Sequence, residues 1–263
     1  MSILEAYFIT LGSSLTLSGL IWVLSLILKD SSIADVFWGP AFVVIAWLNF
    51  FLAEGAFQRR ILLALLVSIW GLRLALHIAL RNRGRGEDPR YGVFRERWGR
   101  RYWWGSLFQV FLLQAFLCWV ISLSVQAAQH STGMPGWTPW MLSGAALWAG
   151  GFLMQAEADR QLARFRADPG NRGRVLETGL WKYSRHPNYF GEAVMWWAIF
   201  LIAAEDPSNL WTLLSPILMT FLLLQVSGVA MLERTISDRR PEYASYIQRT
   251  SAFVPWFPKK RGP

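Results

Sequence analysis

Ala6-Tyr-Phe-Ile-Thr-Leu-Gly-Ser-Ser-Leu-Thr-Leu-Ser-Gly-Leu-Ile-Trp-Val-Leu-Ser-Leu-Ile-Leu28 runs for 23 residues without a charged side chain. A helix of about 20 such residues crosses the hydrocarbon core of a bilayer. Comparable apolar windows follow at 33–53, 60–80, 105–127, 138–158, 189–204 and 210–232. Together they predict an all-α integral membrane protein with seven transmembrane helices. The window 189–204 is short and ends at Glu205-Asp206, so a tilted or shielded helix is expected there. No basic segment precedes the first run and no small-residue cleavage site follows it, so it is read as a retained helix rather than a signal peptide.

The charge is as uneven as the hydropathy. Residues 81–101 carry eight arginines, 160–185 carry seven Lys or Arg and 234–261 carry seven more, out of 26 in the chain. Residues 128–139 and 203–210 carry none. Cytoplasmic loops concentrate Lys and Arg, so seven spans with the N-terminus outside put all three basic segments, and the C-terminus, in the cytoplasm. The pair Arg59-Arg60 then falls outside, against the trend. Anionic lipid is the natural partner of such a face. Nucleic acid is not, because the arginines flank membrane helices and no nucleic-acid module accompanies them. The one cysteine, Cys118, lies in an apolar run and excludes a disulfide framework. No loop is long enough for a second domain, so 1–263 reads as a single transmembrane domain with a polar, ligand-binding half from about 150 to 263.

Polar groups inside membrane helices mark sites by default. Gln155, Asp159 and Arg166 lie along one side of a helix leaving the membrane, and Arg172 and Arg174 flank Gly173 in the loop beyond. An amide, a carboxylate and guanidinium groups in that order suit a nucleotide, the arginines pairing with phosphate. No G-x-G-x-x-G turn accompanies them, so a dinucleotide would bind without a Rossmann fold. Next comes Tyr183-Ser-Arg-His-Pro-Asn188-Tyr-Phe-Gly-Glu192, with Pro187 suited to a first helical turn and Glu192 one turn past Asn188. In the N-terminal half, Asp35 precedes Gly39-Pro40, a predicted local break or kink in the second helix. Arg73 and His77 share a face of the third, and Asp35 is expected to pair with one of them. The three histidines lack metal-ligand spacing, and no metal is expected. Tyr183, Asp238 and Tyr243 complete the expected cofactor set.

Leu176-Glu-Thr-Gly-Leu180-Trp-Lys-Tyr183, Ser184-Arg-His-Pro-Asn188-Tyr-Phe-Gly-Glu192, Tyr243-Ala-Ser-Tyr246 and Phe253-Val-Pro255-Trp, in this order, resemble the steroid 5-alpha-reductase family. Asp35-Val-Phe-Trp-Gly39 and Gly86-Glu-Asp-Pro-Arg-Tyr91 resemble its uncharacterised bacterial members. The resemblance implies a seven-helix enzyme of a bacterial inner membrane, with NADPH in a cytoplasm-facing pocket. It implies reduction of the carbon–carbon double bond of a 3-oxo-4-ene steroid or another apolar enone lipid arriving from the bilayer; no protein partner is evident from the sequence. By this likeness Asn188, Glu192, Asp159, Arg166 and Arg174 are cofactor residues, and Gln155 stands where the family commonly has asparagine. The family's substrate-polarising glutamate and tyrosine have their nearest counterparts in Asp35 and the Arg73/His77 region. Helix three lacks a tyrosine.

Arg185-His-Pro-Asn-Tyr189, Glu233 and the paired-tyrosine tail also resemble isoprenylcysteine carboxyl methyltransferases, whose element reads Arg-His-Pro-x-Tyr, which leaves an S-adenosylmethionine-dependent membrane methyltransferase as the alternative. A non-enzymatic lipid-binding membrane protein is the third reading.

Overall fold

The computed structural model describes residues 1–84, 86–133, 136–226 and 242–259. The described residues are helical with no β-strand. Among the described residues, five stretches are long and apolar enough to cross a membrane: Ile3–Leu28 (α1), Ile33–Leu52 (α2), Phe57–Asn82 (α3), the near-continuous helical stretch Pro89–Ile121, and Pro207–Val226. The protein is an integral membrane protein. The windows at 138–158 and 189–204 are also helical. They fall within a 29-residue helix that runs on into charged sequence and a helix of only 17 residues. The end of the window 210–232, Glu233 and Asp238 lie outside the described residues.

The chain divides into two compact units, Met1–Met141 with Ala203–Ser215, and Leu142–Ile202 with Pro216–Pro263. In the first unit α2 and α3 cross backbone to backbone. A Cβ on Gly39 would collide with the Gly71 carbonyl, and one on Gly71 would stand 2.7 Å from the Gly39 carbonyl oxygen. Small residues permit such approaches where the solvent offers no hydrophobic drive. α2 runs through Pro40 as one helix, so of the break or kink expected at Gly39-Pro40 the break is absent. Gly39 serves the crossing instead.

Pro89–Ile121 is assembled from α4 (Pro89–Trp98), a 3-10 turn, α5 (Tyr102–Ser106), a π-helical turn (Leu107–Leu112) and α6 (Leu113–Ile121). Asp88 caps α4 by accepting from the Arg90 N–H, with Pro89 in the first turn. Ser18 of α1 donates to the Phe111 carbonyl at 2.6 Å, satisfying an acceptor of the widened turn. After α7 (Leu123–His130), the first unit closes on itself through polar contacts. Ser124 donates to the Thr212 carbonyl and Asn209 to the Ser131 hydroxyl.

Arg59 is only 1% exposed and stands 2.9 Å from Glu205, which also accepts from Thr138 at 3.0 Å. Arg60 donates to the Phe50 carbonyl and lies over the Phe50 ring. The two charges that ran against the topological trend are therefore consumed inside the protein.

The second unit contains α8 (Pro139–Ala167), α9 (Pro187–Ala203) and α11 (Glu242–Arg249). The 3-10 segment Pro207–Leu213 belongs to the first unit, and the short α10 (Leu214–Phe221) begins there and continues into the second. α8 and α9 repeat the glycine-to-glycine crossing: a Cβ on Gly191 would stand 2.6 Å from the Gly151 carbonyl and 2.8 Å from the Gln155 nitrogen.

Candidate functional site

That second crossing sets the geometry of the polar stripe. With Gly191 against the backbone at Gln155, the Gln155 amide donates to Glu192 at 2.9 Å, both residues being buried at 2% and 6% exposure. One turn along each helix, Asn188 donates to Asp159 at 3.0 Å, and Asp159 is buried as well. Four expected cofactor residues thus meet in two amide–carboxylate pairs. In both pairs the amide spends its N–H on the carboxylate, and the Gln155 and Asn188 amide oxygens are buried without a donor among the described residues. An unpartnered buried acceptor costs about 1–3 kcal/mol unless something donates to it.

The turn before α9 is held from both sides. Gly179, at φ 62°, sits against the Gln161 side chain, which accepts from the Leu180 N–H at 3.0 Å, and Trp181 donates to the Ala158 carbonyl at 3.1 Å. From the C-terminal side, Tyr246 donates to the Trp181 carbonyl, Ser184 to the Phe253 carbonyl, and Arg185 to the Ile247 and Thr250 carbonyls. Arg249 pairs with Glu177 at 3.0 Å. The conspicuous Arg185 therefore works as a structural bracket. His186 is buried and stacks parallel on Tyr189, centroids 5.5 Å apart.

The remaining expected cofactor residues are distributed differently. Arg166, Arg172 and Arg174 are exposed, Arg166 in the last turn of α8 and the others in the loop closed by the Asp168 side chain on the Gly170 N–H. Tyr183 packs edge-on against Phe257 and Tyr243 against Tyr246, the latter pair buried. Asp238 lies outside the described residues.

In the first unit, Asp35 does not pair with Arg73 or His77. Its carboxylate accepts from Arg90 at 2.6 Å and from the Tyr91 hydroxyl at 2.8 Å. The reason is α4: its Asp88–Pro89 start turns Arg90 and Tyr91 onto the first turn of α2. The Asp88 N–H donates to Ser32 at 2.7 Å, and Glu87 accepts from the Ser31 N–H at 2.8 Å. Burial pushes the Asp88 carboxyl up, but the side-chain and backbone hydrogen bonds from Arg90 outweigh it and hold the group below its ordinary value. Tyr91 also interacts with Gln114. Gln114 lines a cleft of about 30 Å³ with Ser14, Ser18, Phe37, Trp38 and Cys118. The sequence reading placed Tyr91 only in the Gly86–Tyr91 element and did not assign it as a partner of Asp35. The signal was the helix start Asp88-Pro89-Arg-Tyr91, hidden inside a run of arginines.

A family model described as "Protein of unknown function (DUF1295)" matches residues 21–250. The chain belongs to this family. This DUF1295 chain is also similar to the uncharacterized protein C594.04c of Schizosaccharomyces pombe, at 25% identity over 277 residues, covering 92% of this chain and 77% of that protein. No solved structure matches. Both amide–carboxylate pairs and the Asp35–Tyr91 contact of this DUF1295 chain fall inside the matched region.

Proposed function

We propose that the chain is an NADPH-dependent oxidoreductase that reduces the carbon–carbon double bond of an enone lipid, of the 3-oxo-4-ene steroid type. The observation that carries this reading is the wall of acceptors in the second unit: the Glu192 and Asp159 carboxylates with the donor-less oxygens of Gln155 and Asn188. Such a wall suits a ligand rich in N–H and O–H donors, as a carboxamide, ribose hydroxyls and an adenine amino group are. The exposed Arg166, Arg172 and Arg174 are suited to its phosphates, which S-adenosylmethionine lacks.

When bound, NADPH supplies a hydride to the β carbon of the enone. The protein's own tasks are to hold the cofactor's donors, to stabilise the charge growing on the carbonyl oxygen and to return a proton to the α carbon. For the oxygen, an O–H or N–H donor is required. Arg73 and His77 carry such N–H donors, while the Tyr91 hydroxyl donates its one proton to Asp35 and positions that carboxylate.

In the same reading α8 and α9 join the five spans to make seven, with the N-terminus outside and the C-terminus cytoplasmic. The three basic segments then face the cytoplasm of a bacterial inner membrane, where NADPH is available. The apolar substrate arrives from the bilayer.

Calorimetric titration of the detergent-purified full chain with NADPH, NADH and S-adenosylmethionine tests the reading. NADPH binding is expected, weakened about fivefold by Gln155→Met or Asn188→Leu, since one hydrogen bond is worth about 1 kcal/mol. Binding of S-adenosylmethionine alone would make the same pocket a methyltransferase site. Binding of neither would remove the reading.

A further inference from the structure

The five arginines between residues 90 and 101 divide into two groups. Arg90 is held by Asp35 and Asp88. Arg95 forms a two-pronged contact with Glu87 at 2.9 and 3.1 Å and lies 4.2 Å above the Tyr102 ring. Both are consumed in stitching α4 to the α1–α2 turn. Arg97, Arg100 and Arg101 are exposed and have no carboxylate within ion-pair distance among the described residues. Glu96 is the only acid between residues 89 and 121.

These three arginines sit at a corner with distinctive surroundings. Gly99, at φ 50°, ends α4 and turns the chain into the 3-10 segment that carries Arg100 and Arg101. Directly after it, Trp103, Trp104 and Phe108 form a stacked ladder with centroids 4.9 and 5.8 Å apart, and Trp22 of α1 stacks on Trp103 at 6.5 Å. The Trp22 N–H donates to the Trp103 carbonyl, which fixes the end of the ladder. Trp103, Trp104 and Phe108 are about half exposed. Amphipathic aromatics collect at headgroup level, and clustered arginines beside them attract anionic lipid.

We propose that this corner is a binding site for the phosphate of an anionic phospholipid, with Arg97, Arg100 and Arg101 on the headgroup and the Trp103–Trp104–Phe108 ladder along the upper acyl chain. A free phosphate ion would match the arginines but leave the exposed ladder uncovered. A lipid covers both. The site lies wholly in the N-terminal unit and is independent of the cofactor reading.

The test is native mass spectrometry of the full chain in neutral detergent, titrated with dioleoyl phosphatidylglycerol and dioleoyl phosphatidylcholine. The wild type is expected to retain phosphatidylglycerol in preference, and Arg97→Gln/Arg100→Gln/Arg101→Gln to lose that preference by at least about tenfold. One basic side chain near an anionic surface is worth about fivefold in affinity, so Arg101→Gln alone gives a graded loss should the triple variant fold poorly. Arg81→Gln/Arg83→Gln is expected to keep the preference. The proposal is overturned if the triple and single variants retain phosphatidylglycerol as the wild type does, or if inorganic phosphate displaces it at equal concentration.

Discussion

Replacing Arg59 by methionine removes one half of a charge pair that water scarcely reaches, the side chains being 1% and 10% exposed. Among the described residues, Glu205 would keep only the Thr138 hydroxyl as donor. Breaking a buried pair by deleting one partner costs about 3–5 kcal/mol, whereas replacing both partners by apolar groups of similar volume is often neutral or stabilising. Arg59→Met and Glu205→Met are therefore each expected to lose about 3–5 kcal/mol, and Arg59→Met/Glu205→Met to return close to wild type, a coupling of about 6–10 kcal/mol. At about 2–4 °C per kcal/mol for a chain of this size, each single variant should unfold about 6–20 °C lower. Thermal unfolding of the four proteins in one detergent, followed by tryptophan fluorescence, gives the complete cycle. Gly133 adds an internal check, since a Cβ there would stand 2.7 Å from the Arg59 guanidinium. Gly133→Ala should be less tolerated in the wild-type background than in the Arg59→Met background. Single losses below about 1 kcal/mol, or a double variant equal to the sum of the singles, would refute the assignment of a coupled, desolvated pair.

Gly191→Val should force α8 and α9 apart, lowering stability by about 1–3 kcal/mol and abolishing NADPH binding, read by unfolding and calorimetry on the same preparation. Tyr91→Phe should lower turnover of an enone substrate by about tenfold while leaving the NADPH affinity unchanged, because it removes the hydroxyl that donates to Asp35 and positions it, and no contact to the cofactor. His77→Ala should likewise lower turnover with little effect on cofactor binding. The folded Asp88 carboxyl titrates below its ordinary value of 3.8, so its stabilising contribution is full above that value and is lost as the pH falls through the folded pKa. The stability gap between wild type and Asp88→Asn should thus be constant near neutrality and shrink below about pH 4, measured as the difference in unfolding temperature.

The membrane character was legible because an apolar run of spanning length has few other uses, and the polar stripe because Asn188 and Glu192 are one turn apart on one helix. The Gln155–Glu192 contact needed more: it depends on Gly151 and Gly191 letting two helices touch, a relation between distant positions with no local signature. Asp35 shows the same limit. Its partners lie 55 and 56 residues away on a helix whose arginines read as loop charge, while the nearer Arg73 and His77 shared a simpler periodicity. Arg59 looked like a topological exception, because sequence records charge but not burial.

The π-helical turn at Leu107–Leu112 holds one residue more than an α-helix would need over the same rise. Each extra residue rotates everything beyond it by about 100°. The turn is thus a phase adjuster: below it Tyr91 and Tyr102 meet the start of α2, above it Ala115 and Cys118 face inward, and no single α-helical repeat serves both. Deleting one residue between 107 and 112 should restore regular α-helix and swing Tyr91 away from Asp35 while leaving the composition nearly unchanged. Among DUF1295 chains, single-residue length differences tolerated in this stretch should be accompanied by a different partner for the carboxylate at the position of Asp35.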